Sequence, residues 1–244
     1  MTKPLTVLKS VGPKLVPFFK TLAIFFVLFG EEAKYGSIFF CIIKCLPVIS
    51  LILFVLLHGM SLSEHYSYSR RILTGLIFAC LGDIFLVWKD MYFEHGILMF
   101  AVAQILYASA FGWSPFNPYA GSVLGAIGAV VYYYLQPALD GPMVYLVGMY
   151  VVLISTMAWR AIARVQFFDD LWTWTKLCGC AGALLFMTSD LVIAIDKFLF
   201  MVPFAHQIVM LTYYAAQFGI ALSVVDSQVD SVMKKTKSKI NSVM

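Results

Sequence analysis

Apolar stretches about as long as a bilayer is thick follow one another along this chain, with only short polar breaks between them. Few folds accommodate that pattern. A helix needs roughly 20 apolar residues to cross the hydrocarbon core. Stretches of this kind fall at residues 15–30, 37–58, 71–89, 94–112, 119–136, 142–164, 174–195 and 204–225. They predict an all-α, polytopic integral membrane bundle of eight transmembrane helices. Only 12% of the residues are charged, about half the share usual in a soluble domain, so a water-facing fold lacks the polar surface it needs. Residues 1–226 read as a single eight-span membrane domain and residues 227–244 as a basic cytosolic tail.

Lysine and arginine set the orientation, because they accumulate on the cytosolic side. An even number of spans puts both termini on one side. That side carries Lys3, Lys9, Lys14, Arg70, Arg71, Arg160, Arg164, Lys176, Lys234, Lys235, Lys237 and Lys239, and the other side only Lys34, Lys89 and Lys197. Both termini are therefore expected in the cytosol. The tryptophans Trp88, Trp113, Trp159, Trp172 and Trp174 fall at predicted span ends, where an amphipathic indole prefers to sit. The net charge of +4 comes largely from Lys234–Lys239, which suits a tail facing the inner leaflet and argues against nucleic-acid binding. Met1–Lys14 is polar and no small-residue cleavage site follows, so no cleavable signal peptide is expected. The cysteines lie within spans as small apolar residues. The histidines lack HExxH or comparable spacing, and no metal is expected.

Asp83 and Asp190 stand inside spans three and seven, each after a small residue, Gly82 and Ser189. A carboxylate at that depth is costly unless paired or neutralised, and so marks a functional site. A shift of 107 residues lays Gly75, Asp83, Val102, Tyr107, Ala108, Phe111 and Gly112 on Gly182, Asp190, Val209, Tyr214, Ala215, Phe218 and Gly219. This suggests a 4+4 parallel internal repeat in which the two aspartates share one site. Each lies about six residues from the non-cytosolic end, roughly 9 Å in at helical rise. Lys44 enters span two from the same side to a similar depth, where it can compensate the acids or snorkel. Gln104, Tyr107, Tyr213, Tyr214 and Gln217 fall mid-span, where polar tips need partners. They are candidates to line the site. No GxSxG elbow, Walker loop or dinucleotide fingerprint is present, so carboxylate chemistry is what remains.

Taken together, Gly12–Phe19, Lys44-Cys-Leu-Pro47, Gly82-Asp83-Ile-Phe-Leu, the run from His95 through Tyr107 to Gly112, Ser189-Asp190-Leu and Tyr213-Tyr-Ala-Ala-Gln217 resemble the lysoplasmalogenase, or YhhN-like, family. The likeness is strongest to vertebrate members and extends over nearly the whole chain. One departure is Gln104, where many members carry histidine. The resemblance implies a membrane hydrolase of the endoplasmic reticulum that needs no cofactor. It implies cleavage of the vinyl-ether bond of lysoplasmalogens drawn from the bilayer, giving a fatty aldehyde and glycerophosphoethanolamine or glycerophosphocholine. The catalytic residues it implies are Asp83 and Asp190.

Vinyl-ether hydrolysis protonates the outer alkene carbon, leaves an oxocarbenium ion for water to attack, and ends in collapse of a hemiacetal. One carboxyl as general acid and one carboxylate beside the cation fit that chemistry, as in glycoside hydrolysis; either aspartate could be the acid. The competing reading is a small-solute or proton-coupled transporter, since repeats and intramembrane carboxylates occur there too. The charge distribution generates a topological prediction. Tags at residues 1 and 244 should both be protease-accessible in sealed microsomes with the cytosolic face outward, and protection of either would overturn the orientation.

Overall fold

A computed structural model describes residues 4–31, 33–58, 66–165 and 173–225, with side chains from residue 11 onward. The regular structure among these residues is helical: α1 (Pro4–Phe29), α2 (Ile38–Leu57), α3 (Ser67–Val87), α4 (Lys89–Phe111), α5 (Pro118–Leu135), α6 (Pro142–Val165), α7 (Trp174–Phe198) and α8 (Ala205–Leu222), with a short 3₁₀ turn at Gln136–Ala138. Each expected span contains one helix, and the bounds differ mainly in α1, which begins earlier. The expected tail at 227–244 and Trp172 lie outside the described residues.

Five helical stretches are long and apolar enough to cross a membrane by length and composition: Val11–Phe29, Ile38–Leu57, Lys89–Phe111, Pro142–Val165 and Trp174–Phe198. The chain is a multi-pass membrane protein. Helices α3, α5 and α8 are not among the five, for reasons visible in their residues. Helix α3 opens on Arg70 and Arg71 and carries Asp83, α5 has only 18 residues and ends in three tyrosines, and α8 carries His206, Gln207, Tyr213, Tyr214 and Gln217. In α8 much of this polarity faces inward, since Tyr213, Tyr214 and Gln217 are buried.

Helix ends fall where the local chemistry supplies caps. Ser37, Asn117 and Thr173 accept bonds from the backbone N–H groups of Phe40, Ala120 and Lys176, and so satisfy donors that the first turn leaves open. Pro118 follows Asn117 at the first helical position, where its missing N–H costs nothing. Gly112 ends α4 at φ 81°, a conformation that a side chain would disfavour.

The core is built on aromatic side chains from the inner helices, among them Phe25, Phe40, Phe54, Tyr107, Phe186, Tyr213 and Tyr214. Helices α3–α4 and α7–α8 form the two most extensive pairings; they meet directly through α3–α8 and are bridged by α2 and α6. Helix α5 is peripheral. It buries Leu124, Gly128 and Leu135 while Val123, Val130, Tyr133 and Tyr134 stay exposed. Exposed apolar side chains on this scale suit contact with lipid tails. Trp88, Trp113 and Trp174 lie at helix ends as expected. Trp159 sits just inside α6, with its indole N–H donating to Asn117 O at 2.6 Å.

The α7–α8 pairing depends on two glycines in contact, Gly182 and Gly219. A Cβ at Gly182 would stand 2.7 Å from Ala216 O and 2.9 Å from Ile220 N, both backbone atoms that cannot turn away. Gly182→Ala should cost about 2 kcal/mol through this overpacking and lower the melting temperature in detergent. Gly125→Ala, with nothing within 4 Å of the added carbon, should leave it within about 0.5 kcal/mol of the parent. Equal melting temperatures for the two variants would contradict this account of the pairing.

Candidate functional site

Asp83 and Asp190 line one cavity of about 610 Å³, within the usual range for small-molecule sites. It is walled by α2 through α8, and its exposed charged lining, Lys89, Asp196 and Lys197, lies where α3 meets α4 and α7 turns toward α8. Most of its wall is apolar: Phe100, Val131, Leu135, Val147 and Ile154 are representative. The polar groups gather near the two aspartates and at the mouth. Such a cavity fits an amphipathic molecule.

The two carboxyls are held differently. Asp83 is buried, and its Oδ1 lies 3.1 Å from Lys44 Nζ in an ion pair between α3 and α2. The same ammonium reaches Asp83 O at 3.4 Å. Tyr213 of α8 donates its hydroxyl to Asp83 Oδ2, and Tyr214 donates to Lys44 O at 2.8 Å. Gly82 lets the Phe100 ring close against α3 here, since a Cβ would stand 2.7 Å from it. Asp190, half-buried on α7, accepts a hydrogen bond from Tyr150 of α6 at Oδ2. Gln104 Nε2 in turn donates to the Tyr150 hydroxyl at 3.5 Å. Ser189 ties α7 to α8 by donating to Val209 O at 3.2 Å. One carboxyl thus has a cation and a phenol, and the other a phenol and an amide behind it.

Of the residues expected from sequence to line the site, Asp83, Asp190, Lys44 and Tyr213 do so. Gln104, Tyr107, Tyr214 and Gln217 stand outside the cavity wall. Tyr107 donates to Gln217 Oε1 at 2.8 Å, a buried α4–α8 link away from the cavity, and Gln217 Nε2 is left without a partner among the described residues. Tyr214 anchors the backbone of α2, and Gln104 acts on Asp190 only through Tyr150. Tyr150 itself was not among the expected residues. Neither was His206, which lines the cavity while its Nε2 meets Phe29 O at 2.8 Å. Lys89 and Lys197, counted from sequence among the non-cytosolic charges, line the same cavity at its mouth together with Asp196. No group of three or more His, Cys, Asp or Glu among the described residues is placed to hold a metal ion.

Comparison with known proteins gives a consistent result. The profile of the YhhN family matches residues 39–224. Lysoplasmalogenase TMEM86A of Bos taurus is 48% identical over 93% of this chain and 95% of its own length. Lysoplasmalogenase TMEM86B of Homo sapiens is 35% identical over 88% of each. A lysoplasmalogenase homolog of Dictyostelium discoideum is 27% identical over 77% of this chain and 78% of its own. No solved structure matches.

The Lys44–Asp83 pair makes a prediction about folding. Lys44→Met leaves a buried carboxylate without its cation, and removing one partner of a buried pair costs about 3 kcal/mol or more. Adding Asp83→Asn to Lys44→Met removes the stranded charge and should restore most of that loss. Melting temperatures of the single and double variants in detergent check this. A double variant no more stable than Lys44→Met would show that the pair is not what holds α2 to α3.

Proposed function

This chain belongs to the YhhN family, and on that footing we propose that it is an integral-membrane lysoplasmalogenase. The observation that carries the reading is the cavity itself: two carboxyls in different settings at its polar end, and an apolar wall suited to a single fatty chain. The substrate is a lysophospholipid bearing a vinyl ether. The products are a fatty aldehyde and glycerophosphoethanolamine or glycerophosphocholine.

The surroundings of the aspartates divide the labour. Asp83, beside the Lys44 ammonium, is the standing anion. Asp190 has the neutral Tyr150 phenol on Oδ2 and carries the catalytic proton on its other oxygen. That proton goes to the outer alkene carbon, and the electron pair of the ether oxygen shifts to give the oxocarbenium ion. Asp83 stabilises the cation and takes a proton from the attacking water. The hemiacetal formed passes its hydroxyl proton to the leaving glycerol oxygen as the C–O bond breaks. The proton gained by Asp83 returns to Asp190 before the next turnover. Lys44 and Tyr213 position Asp83, and Tyr150 with Gln104 positions Asp190.

We further propose that all eight helices cross the bilayer of the endoplasmic reticulum with both termini cytosolic, as a 4+4 repeat. The neighbour pattern supports the repeat: α1–α2, α2–α3 and α3–α4 are mirrored by α5–α6, α6–α7 and α7–α8, and the cross-contacts α4–α6 and α8–α2 correspond. A shift of 107 residues carries Lys44 to Val151, next to Tyr150. In each half the second helix then supplies the group that holds the aspartate on the third.

Purified protein in detergent should release aldehyde from lysoplasmalogen and none from the matched ester lysophospholipid; a folded protein that releases no aldehyde overturns the reading. Asp190→Asn and Asp83→Asn should each lower turnover by about 10²–10⁴-fold, the range for a lost general acid or base. The double variant should be little worse, because groups acting as one unit are strongly non-additive. Lys44→Met should lose at least about tenfold, equivalent to about 1.4 kcal/mol. Near-normal turnover in a monodisperse Asp190→Asn protein would remove that residue from the mechanism.

A further inference from the structure

Lys44 lies deep in the cavity against Asp83, which leaves the charged headgroup of a lysophospholipid to be received elsewhere. Two other lysines line the same cavity at its mouth, Lys89 at the start of α4 and Lys197 near the end of α7. Each lies against an aromatic ring: Lys89 Nζ is 4.0 Å from the centre of Tyr35, and Lys197 Nζ is 4.2 Å from that of Phe93. Those rings hold the two ammonium groups at the rim. Asp196 adds one carboxylate to the mouth. Two cations and one anion around a single opening complement a zwitterion made of a phosphodiester and an ammonium.

The spacing along α7 agrees with this arrangement. Asp190 and Lys197 are seven residues apart, two helical turns, and so share a face. At helical rise their α carbons are about 10 Å apart along the axis. In the substrate, seven covalent bonds separate the outer alkene carbon from phosphorus, a span of roughly 9 Å at ordinary bond lengths. A contact of about 3 Å between ammonium and phosphate oxygen brings the reach to about 12 Å, a difference that the flexible lysine stem takes up. With the alkene carbon at Asp190, the phosphate falls at the lysines.

We propose that Lys89 and Lys197 together form the phosphate-recognising site of this cavity, fixing how deeply the lipid enters and so placing its vinyl ether between the aspartates. This rests on the lysoplasmalogenase reading, but it is tested by binding alone. The probes are a non-hydrolysable 1-O-alkyl lysophosphoethanolamine and the 1-O-alkylglycerol of the same chain length, titrated against the full-length protein in detergent. Lys89→Met/Lys197→Met should weaken binding of the phospholipid at least tenfold and leave the alkylglycerol within twofold. Lys89→Arg/Lys197→Arg should retain most of the phospholipid affinity, since arginine also pairs with phosphate. Unchanged phospholipid affinity in the methionine variant overturns the proposal. So does an equal loss for both ligands, which reports damage to the apolar cavity and not loss of phosphate recognition. Aldehyde release by the parent protein is read separately, so failure of the chemistry and failure of this site give different results.

Discussion

An ammonium and a carboxylate, both taken out of water, meet between α2 and α3, and much of the inner bundle is arranged to make that tolerable. Lys44 and Asp83 are each expensive to bury, and their attraction offsets the expense only when the remaining hydrogen-bonding positions are also satisfied. Tyr213 takes one of those positions and Tyr214 holds the backbone that carries Lys44. Helix α8 is thereby fixed against α2 and α3 at the depth of the pair. Gly82 lets the Phe100 ring close against α3 beside the pair, and Gly182 sets the close approach of α7 and α8. A well-packed apolar pair would hold two helices at least as firmly. The presence of charge here is best explained by what the charge does.

The same contrast lets the proposed mechanism assign the two aspartates different roles although the chain introduces them alike. Each follows a small residue late in an apolar helix. What separates them is the neighbour across the groove, a lysine in one case and a tyrosine in the other. A general acid and an anion at one site require such a difference, since two identical settings would leave the proton undirected.

Much of this was legible in the sequence and some of it could not have been. Apolar length located all eight helices, and the cost of a carboxylate at membrane depth singled out Asp83, Asp190 and Lys44. The rotation of each helix was not legible. In a segment apolar on every side no amphipathic period points to the interior, so Tyr107 and Gln217 looked like site residues but bond each other behind the wall. Tyr150 drew no expectation for the same reason. A correspondence between Lys44 and its neighbour in a second half would have drawn attention to it. Lys89 and Lys197 were counted only as charges of the non-cytosolic side, because nothing in one dimension shows that two turns meet over one opening.

The peripheral position of α5 bears on what happens after the bond is cut. Ile127 of α5 and Leu191 of α7 both line the cavity and are exposed, which suits an apolar side opening to lipid between those helices, apart from the charged mouth at Lys89 and Lys197. Cleavage turns one amphipathic molecule into an oily aldehyde and a water-soluble phosphodiester. The two products then partition in opposite directions, the aldehyde sideways into the bilayer and the phosphodiester out through the mouth. Neither has to pass the other, and re-formation of the ether is opposed by dilution into two different phases.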